Sequence, residues 1–329
     1  MSFRERIKEY PALADAYQFT EQKLKVLRSD LEAALSDSGH RDKITIVTVG
    51  SYGRNEASGE SDLDLYILFD SDRNPEETIA DEIEAIKDVQ DRHIGNSPGD
   101  TGTFGHDACI HFDDIVSNIG GEEDTNKLTT RRLLFLLEGT WLFGRERFQQ
   151  YRRELLNRYI DHNDKDGKLS RFLLNDIIRY YRTITTDFEH KVATQQKDWG
   201  LRQVKLRFSR KILYFGGIIA VAETSHLGQD QKLEGLEGWF KHAGLERIYA
   251  AGPDLRETDE VLSLYNDFLS TLSDATARQT LKQLERSTRD ECELYSRLRN
   301  DSQRLSEALA SWLKQRYRAD HPIHHALVF

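Results

Sequence analysis

Two aspartates separated by one residue, Asp62 and Asp64, follow a Gly50-Ser51 pair across ten intervening residues. Side chains on an extended strand alternate, so both carboxylates point to one face while Leu63, Leu65 and Ile67 point to the other. Two carboxylates side by side repel each other unless a cation joins them. Oxygen donors of this kind suit Mg2+ or Mn2+, which also bind phosphate oxygens. Such ions can activate an attacking hydroxyl and stabilise a leaving pyrophosphate. The preceding turn fits the same chemistry. Gly50 leaves room for a phosphate to approach the backbone. The Ser51 hydroxyl and nearby N–H groups can donate to phosphate oxygens. Gly53 permits an unusual backbone angle, and Arg54 can pair with a phosphate in a two-pronged geometry.

These residues need elements to hold them. Lys43 to Val49 is rich in β-branched residues and predicts a strand, Gly50 to Ser61 a polar turn, and Asp62 to Phe69 a second strand. Pro75, followed by Glu76 and Glu77, opens a helix that runs to about Arg92. His106 to Phe112 predicts a third strand after a glycine-rich loop from Gly95 to Gly105. Residues 1–38 read as helices broken at Pro11. From Lys127 onward the apolar spacing is helical in Leu128–Tyr159, Leu169–Thr194, Leu201–Thr224 and Glu257–Arg318.

The apolar strand, Gly-Ser turn, spacer and Asp-x-Asp strand together resemble the DNA-polymerase-β-like nucleotidyltransferase superfamily. The wording Gly-Ser-Tyr-Gly-Arg-Asn-Glu, with Ser61-Asp62-Leu63-Asp64-Leu65, is most similar to the bacterial protein-uridylyltransferase-like branch. Leu136-Leu137-Glu138-Gly139 and Leu142-Phe143-Gly144 resemble the helix that follows the catalytic core there. The resemblance covers residues 44–145. It implies an α+β fold, with a small mixed sheet and flanking helices forming the core and a large α-helical C-terminal domain beyond it. The expected division is 1–38 for N-terminal helices packing on the core, 39–126 for the catalytic core, and 127–329 for a helical substrate- or nucleotide-binding domain, with the active site in the cleft between the last two. It implies Asp62 and Asp64 as catalytic metal ligands, Gly50 and Ser51 as holders of the phosphates of a nucleoside triphosphate such as ATP, and a third carboxylate from a later strand. Asp107 is the first choice for that acid, with Asp100 and Asp113 as alternatives.

The implied reaction transfers a nucleoside monophosphate to a protein, RNA or small-molecule acceptor. The alternative is a catalytically silent nucleotide-binding regulator of the same fold. Arg202 to Lys211 carries five cations and no acid. Arg207, Arg210 and Lys211 share one face if the segment is a single helix, and with Lys205 they are candidates to bind the triphosphate or a nucleic-acid backbone. Asn175, Asp176, Arg179, Tyr180, Tyr181 and Arg182 on the preceding helix are further candidates for reading or stacking on a base, although amphipathic packing also explains them. His106 and His111 read more simply as structural histidines than as a general base.

Several function classes find no support. The chain of 329 residues has a net charge of −10, which argues against non-specific coating of nucleic acid. Its 38% hydrophobic and 31% charged residues describe a globular, highly charged protein. Cys109 and Cys292 are far apart, without a Cys-x-x-Cys zinc pattern. In Asp164-Lys165-Asp166-Gly167 a calcium loop would place His162 and Leu173 where carboxylates are required. The charged opening residues and the lack of a long apolar run lead to the expectation of a cytoplasmic protein with no membrane partner.

Overall fold

The computed structural model describes residues 1–71, 73–94, 108–161, 168–195 and 198–328. They form two compact units: Ala16–Tyr159, and Met1–Asp15 together with Ile160–Phe329. The first holds a four-stranded mixed sheet and the second is helical, so the α+β class with a large helical domain holds.

In the sheet unit, β1 (Ile44–Thr48) lies between β2 (Leu65–Phe69) and β4 (Thr140–Phe143), antiparallel to both, and β3 (Cys109–Ile110) runs parallel to β2 at the edge. Every residue of β1 and β2 is buried. Leu24, Leu27, Leu31 and Leu35, three or four apart in and just after the Pro11–Ala34 helix, pack with Ile44, Ile46, Leu65 and Ile67. Ile86 and Val89 of the Ala80–His93 helix close the same core.

Several elements of the sheet unit differ from the sequence reading. Leu128–Tyr159 is not continuous helix: a helix over Asn126–Leu137, strand β4 and a helix over Arg145–Asp161 replace it. The free edge of β1 captures Thr140-Trp141-Leu142-Phe143, whose β-branched and aromatic residues suit a pleated surface. The residues from 127 to Tyr159 therefore group with the sheet. Strand β2 starts at Leu65, because β1 ends at Thr48 and its ladder stops there. At the third strand, Phe112 already begins a helix, Phe112–Val116, with Asp113 and Asp114 in its first turn.

In the helical unit, Leu201–Thr224 is broken at Phe208 into helices Trp199–Arg207 and Ser209–Glu223. Glu257–Arg318 divides into helices Arg256–Ser273, Ala275–Gln283 and Glu293–Arg316. The Ser209–Glu223 helix is apolar on nearly every side and packs against Gly244–Ala251 and Arg171–Gln195, as a central helix must. Among the described residues no helix is long and apolar enough to cross a membrane.

Candidate active site

The pairing of β1 with β2 decides which residues meet. Thr48 faces Leu65, and beyond the ladder the Val49 amide donates to the Asp64 carbonyl at 2.9 Å, joined by the Thr48 hydroxyl at 2.8 Å. The antiparallel register therefore carries Gly50 and Ser51, at the end of β1, onto Asp62 and Asp64, at the start of β2. Their approach is close: a Cβ on Gly50 would lie 2.6 Å from Asp64 Oδ2. Gly50 also has φ +71°, so glycine is required on two grounds. The room that Gly50 provides is occupied by the Asp64 carboxylate, where the sequence suggested an approaching phosphate.

Gly50–Gly53 is a single helical turn, ended by Asn55 in the left-handed region at φ 59°. The spacer that follows is pinned at both ends. The Ala57 amide donates to the buried Thr20 hydroxyl at 3.0 Å, and Ser58 and Ser61 exchange two hydrogen bonds. Leu63, between the two acids, is buried, and its carbonyl accepts from the Gln90 side chain at 3.2 Å. Asp62 and Asp64 are each half-buried, and Asp62 makes no hydrogen bond or ion pair among the described residues. Beneath them, Tyr52 is fully buried, and burial together with the Asp62 charge pushes its phenol up to about 12. It stays protonated across the physiological range.

Strand β4 brings a residue to this edge that the sequence reading gave no role. Glu138 is buried just before it. Its Oε1 accepts from the Gly50 amide at 2.8 Å and its Oε2 from Arg54 Nη1 at 2.6 Å. Arg54 Nε also pairs with Glu56 at 2.8 Å. The Arg54 guanidinium is thus buried between two carboxylates and braces the turn, rather than facing a phosphate. Gly53 lets this turn lie on the Glu138 backbone, since a Cβ there would fall 2.1 Å from its carbonyl oxygen. The Ser51 side chain is half-buried, with no hydrogen bond among the described residues. The resemblance quoted Leu136-Leu137-Glu138-Gly139, and a lone acid in that apolar run was the available signal.

Residues 28–95 match the family described as the nucleotidyltransferase domain. The chain carries a nucleotidyltransferase domain. The match spans β1, the Gly-Ser turn, the Asp-x-Asp pair and β2, and stops short of Glu138 and β4. No curated protein matches the chain.

The remaining predicted residues are placed as follows. Asp107, Asp100, His106 and the 162–167 segment lie outside the described residues. Asp113 is exposed on the Phe112–Val116 helix, and the His111 ring lies 3.3 Å from the Phe69 carbonyl. Among the described residues no group of three His, Cys, Asp or Glu side chains is placed to hold a metal. Lys205, Arg207, Arg210 and Lys211 are half-buried in the helical unit, on two helices instead of one.

Proposed function

We propose that this protein transfers a nucleoside monophosphate from a nucleoside triphosphate to an acceptor hydroxyl, releasing pyrophosphate. The observation that carries the reading is the seating of Asp64 over Gly50, with Asp62 and the Ser51 hydroxyl on the same sheet edge. Paired carboxylate oxygens with solvent access are a donor set that fits Mg2+ or Mn2+. Asp62 and Asp64 would hold the ion, with Asp107 as the third ligand that the family resemblance suggests. Such an ion, when bound, neutralises phosphate charge and lowers the pKa of a coordinated hydroxyl.

The chain's own residues supply positioning. Ser51 donates to a phosphate oxygen. Glu138 and Arg54 fix the turn so that Ser51 and Asp64 keep their spacing, and Gln90 fixes the strand between the acids. Rate enhancement by such a site rests on orientation and preorganised charge. By its resemblance to the uridylyltransferase-like branch, a protein side chain is the first acceptor to test, followed by an RNA end and a small molecule; a cytoplasmic setting supplies all three.

The test is pyrophosphate release from ATP, GTP, CTP and UTP with Mg2+ or Mn2+ and a cell extract as acceptor source. Release by wild type that vanishes in the Asp62→Ala, Asp64→Ala double variant is expected, and the labelled product then identifies the acceptor. Tight metal-dependent nucleotide binding without release would replace this reading with a non-catalytic nucleotide sensor.

A further inference from the structure

Arg207 ends the Trp199–Arg207 helix and Lys211 lies in the first turn of Ser209–Glu223. They are four apart across the Phe208 break, a spacing at which like charges oppose each other. Their partners are neutral oxygens of the Glu293–Arg316 helix. Lys211 Nζ donates to the Ser306 hydroxyl at 2.5 Å and to the Ser302 carbonyl at 3.4 Å, and Arg207 Nη1 lies 3.4 Å from the Ser302 hydroxyl. Burial, and then the Arg207 charge, push the Lys211 ammonium down to about 8. Two cations are thus held together in a partly desolvated place with no carboxylate bonded to either among the described residues.

A second observation points the same way. Arg207 Nε is a buried donor without a hydrogen-bond partner among the described residues. Buried polar groups left unpaired are rare and costly. Tyr181 and Tyr214 stack at 4.5 Å, and the Arg207 charge bears on the Tyr181 phenol, so an aromatic wall stands beside the cations. Arg207, Lys211, Tyr181 and Tyr214 are all half-buried rather than sealed in the core.

We propose that Arg207 and Lys211, with Ser306, form a binding site for a phosphate group within the helical unit. A phosphate oxygen accepts from the Arg207 guanidinium and the Lys211 ammonium, and its negative charge relieves the repulsion between them.

The experiment is calorimetric titration of the full-length Asp62→Ala, Asp64→Ala variant with inorganic tripolyphosphate in EDTA. Those conditions silence the sheet edge, so the result is independent of whether that edge turns over nucleotide. Saturable binding is expected. Adding Lys211→Met or Arg207→Gln should weaken it by at least about tenfold, the worth of one charge-assisted hydrogen bond, while Arg202→Gln leaves it unchanged. Lys211→Arg, which keeps the charge, should retain binding where Lys211→Met loses it, and thermal unfolding of each variant verifies that it is folded. Absence of saturable binding, or equal binding by folded Lys211→Met and Arg207→Gln variants, overturns the proposal.

Discussion

Arg54 and Arg132 of the sheet unit and the Arg207–Lys211 pair of the helical unit hold desolvated charge in opposite ways. In the sheet unit, the Arg54 and Arg132 guanidiniums are answered by carboxylates: Arg54 by Glu138 and Glu56, and Arg132 by Asp124 through two hydrogen bonds of 3.1 and 2.9 Å. In the helical unit, Arg207 and Lys211 meet only serine oxygens among the described residues. A buried pair that is fully satisfied fixes structure, whereas charge held without a counter-charge costs free energy that a ligand of opposite sign can offset. By that rule Arg54 is removed from the phosphate-binding candidates that its position in the sequence suggested. Asp62, which has no hydrogen bond or ion pair among the described residues, stays open to the proposed cation, and the Arg207–Lys211 pair to the proposed anion.

Four substitutions, in decreasing order of effect, separate these two arrangements of charge. Removing both acids by Asp62→Ala and Asp64→Ala should lower nucleotidyl transfer by on the order of a thousandfold or more while the chain stays folded, as read by pyrophosphate release and circular dichroism. Near-wild-type turnover in that variant would detach the Asp-x-Asp pair from the chemistry. Glu138→Ala leaves the buried Arg54 with one acid fewer and the Gly50 amide without its acceptor. It should destabilise the protein by about 3–5 kcal/mol in urea unfolding, and a loss under 1 kcal/mol would show that the pair does not brace the turn. Gly50→Ala should cost about 1–2 kcal/mol for the left-handed backbone alone. Its catalytic loss should exceed its effect on stability, because the new methyl group displaces the Asp64 carboxylate; full activity would contradict the close approach seen here.

The smallest effect tests the helical unit. The folded-state pKa of Lys211 is depressed to about 8, below its unfolded value, so between about pH 8 and pH 10 the unfolded chain binds more protons at this site. Stability contributed through this lysine therefore rises over that window. Lys211→Met should be more stable than wild type near pH 7, and the gap should narrow toward pH 10. A gap independent of pH would mean that neither burial nor the Arg207 neighbour penalises the Lys211 charge.

Much of the sheet edge was legible in the sequence because its parts are short-range. A β-branched run, a Gly-Ser turn and alternating acids are read within about twenty residues, and the alternation placed Leu63, Leu65 and Ile67 on the core side, where they are found. The β4 segment was misread as helix because Leu133 to Leu142 is apolar enough for either state, and only the open edge of β1 selects the strand. Glu138 was quoted without a role for the same reason. The break at Phe208 was equally hidden, since the Arg202–Lys211 segment keeps good helical periodicity through it.

The two-strand frame, the glycine turn and the acids that follow it can be read along the chain, because strand alternation and turn chemistry are local properties. What those residues touch depends on packing between distant segments. Gly50 is reserved for Asp64, Arg54 meets Glu138 across 84 residues, and Arg207 meets Ser302 across 95. The state of a buried charge is set by the polar groups that desolvation forces against it, and those arrive from elements distant in the sequence.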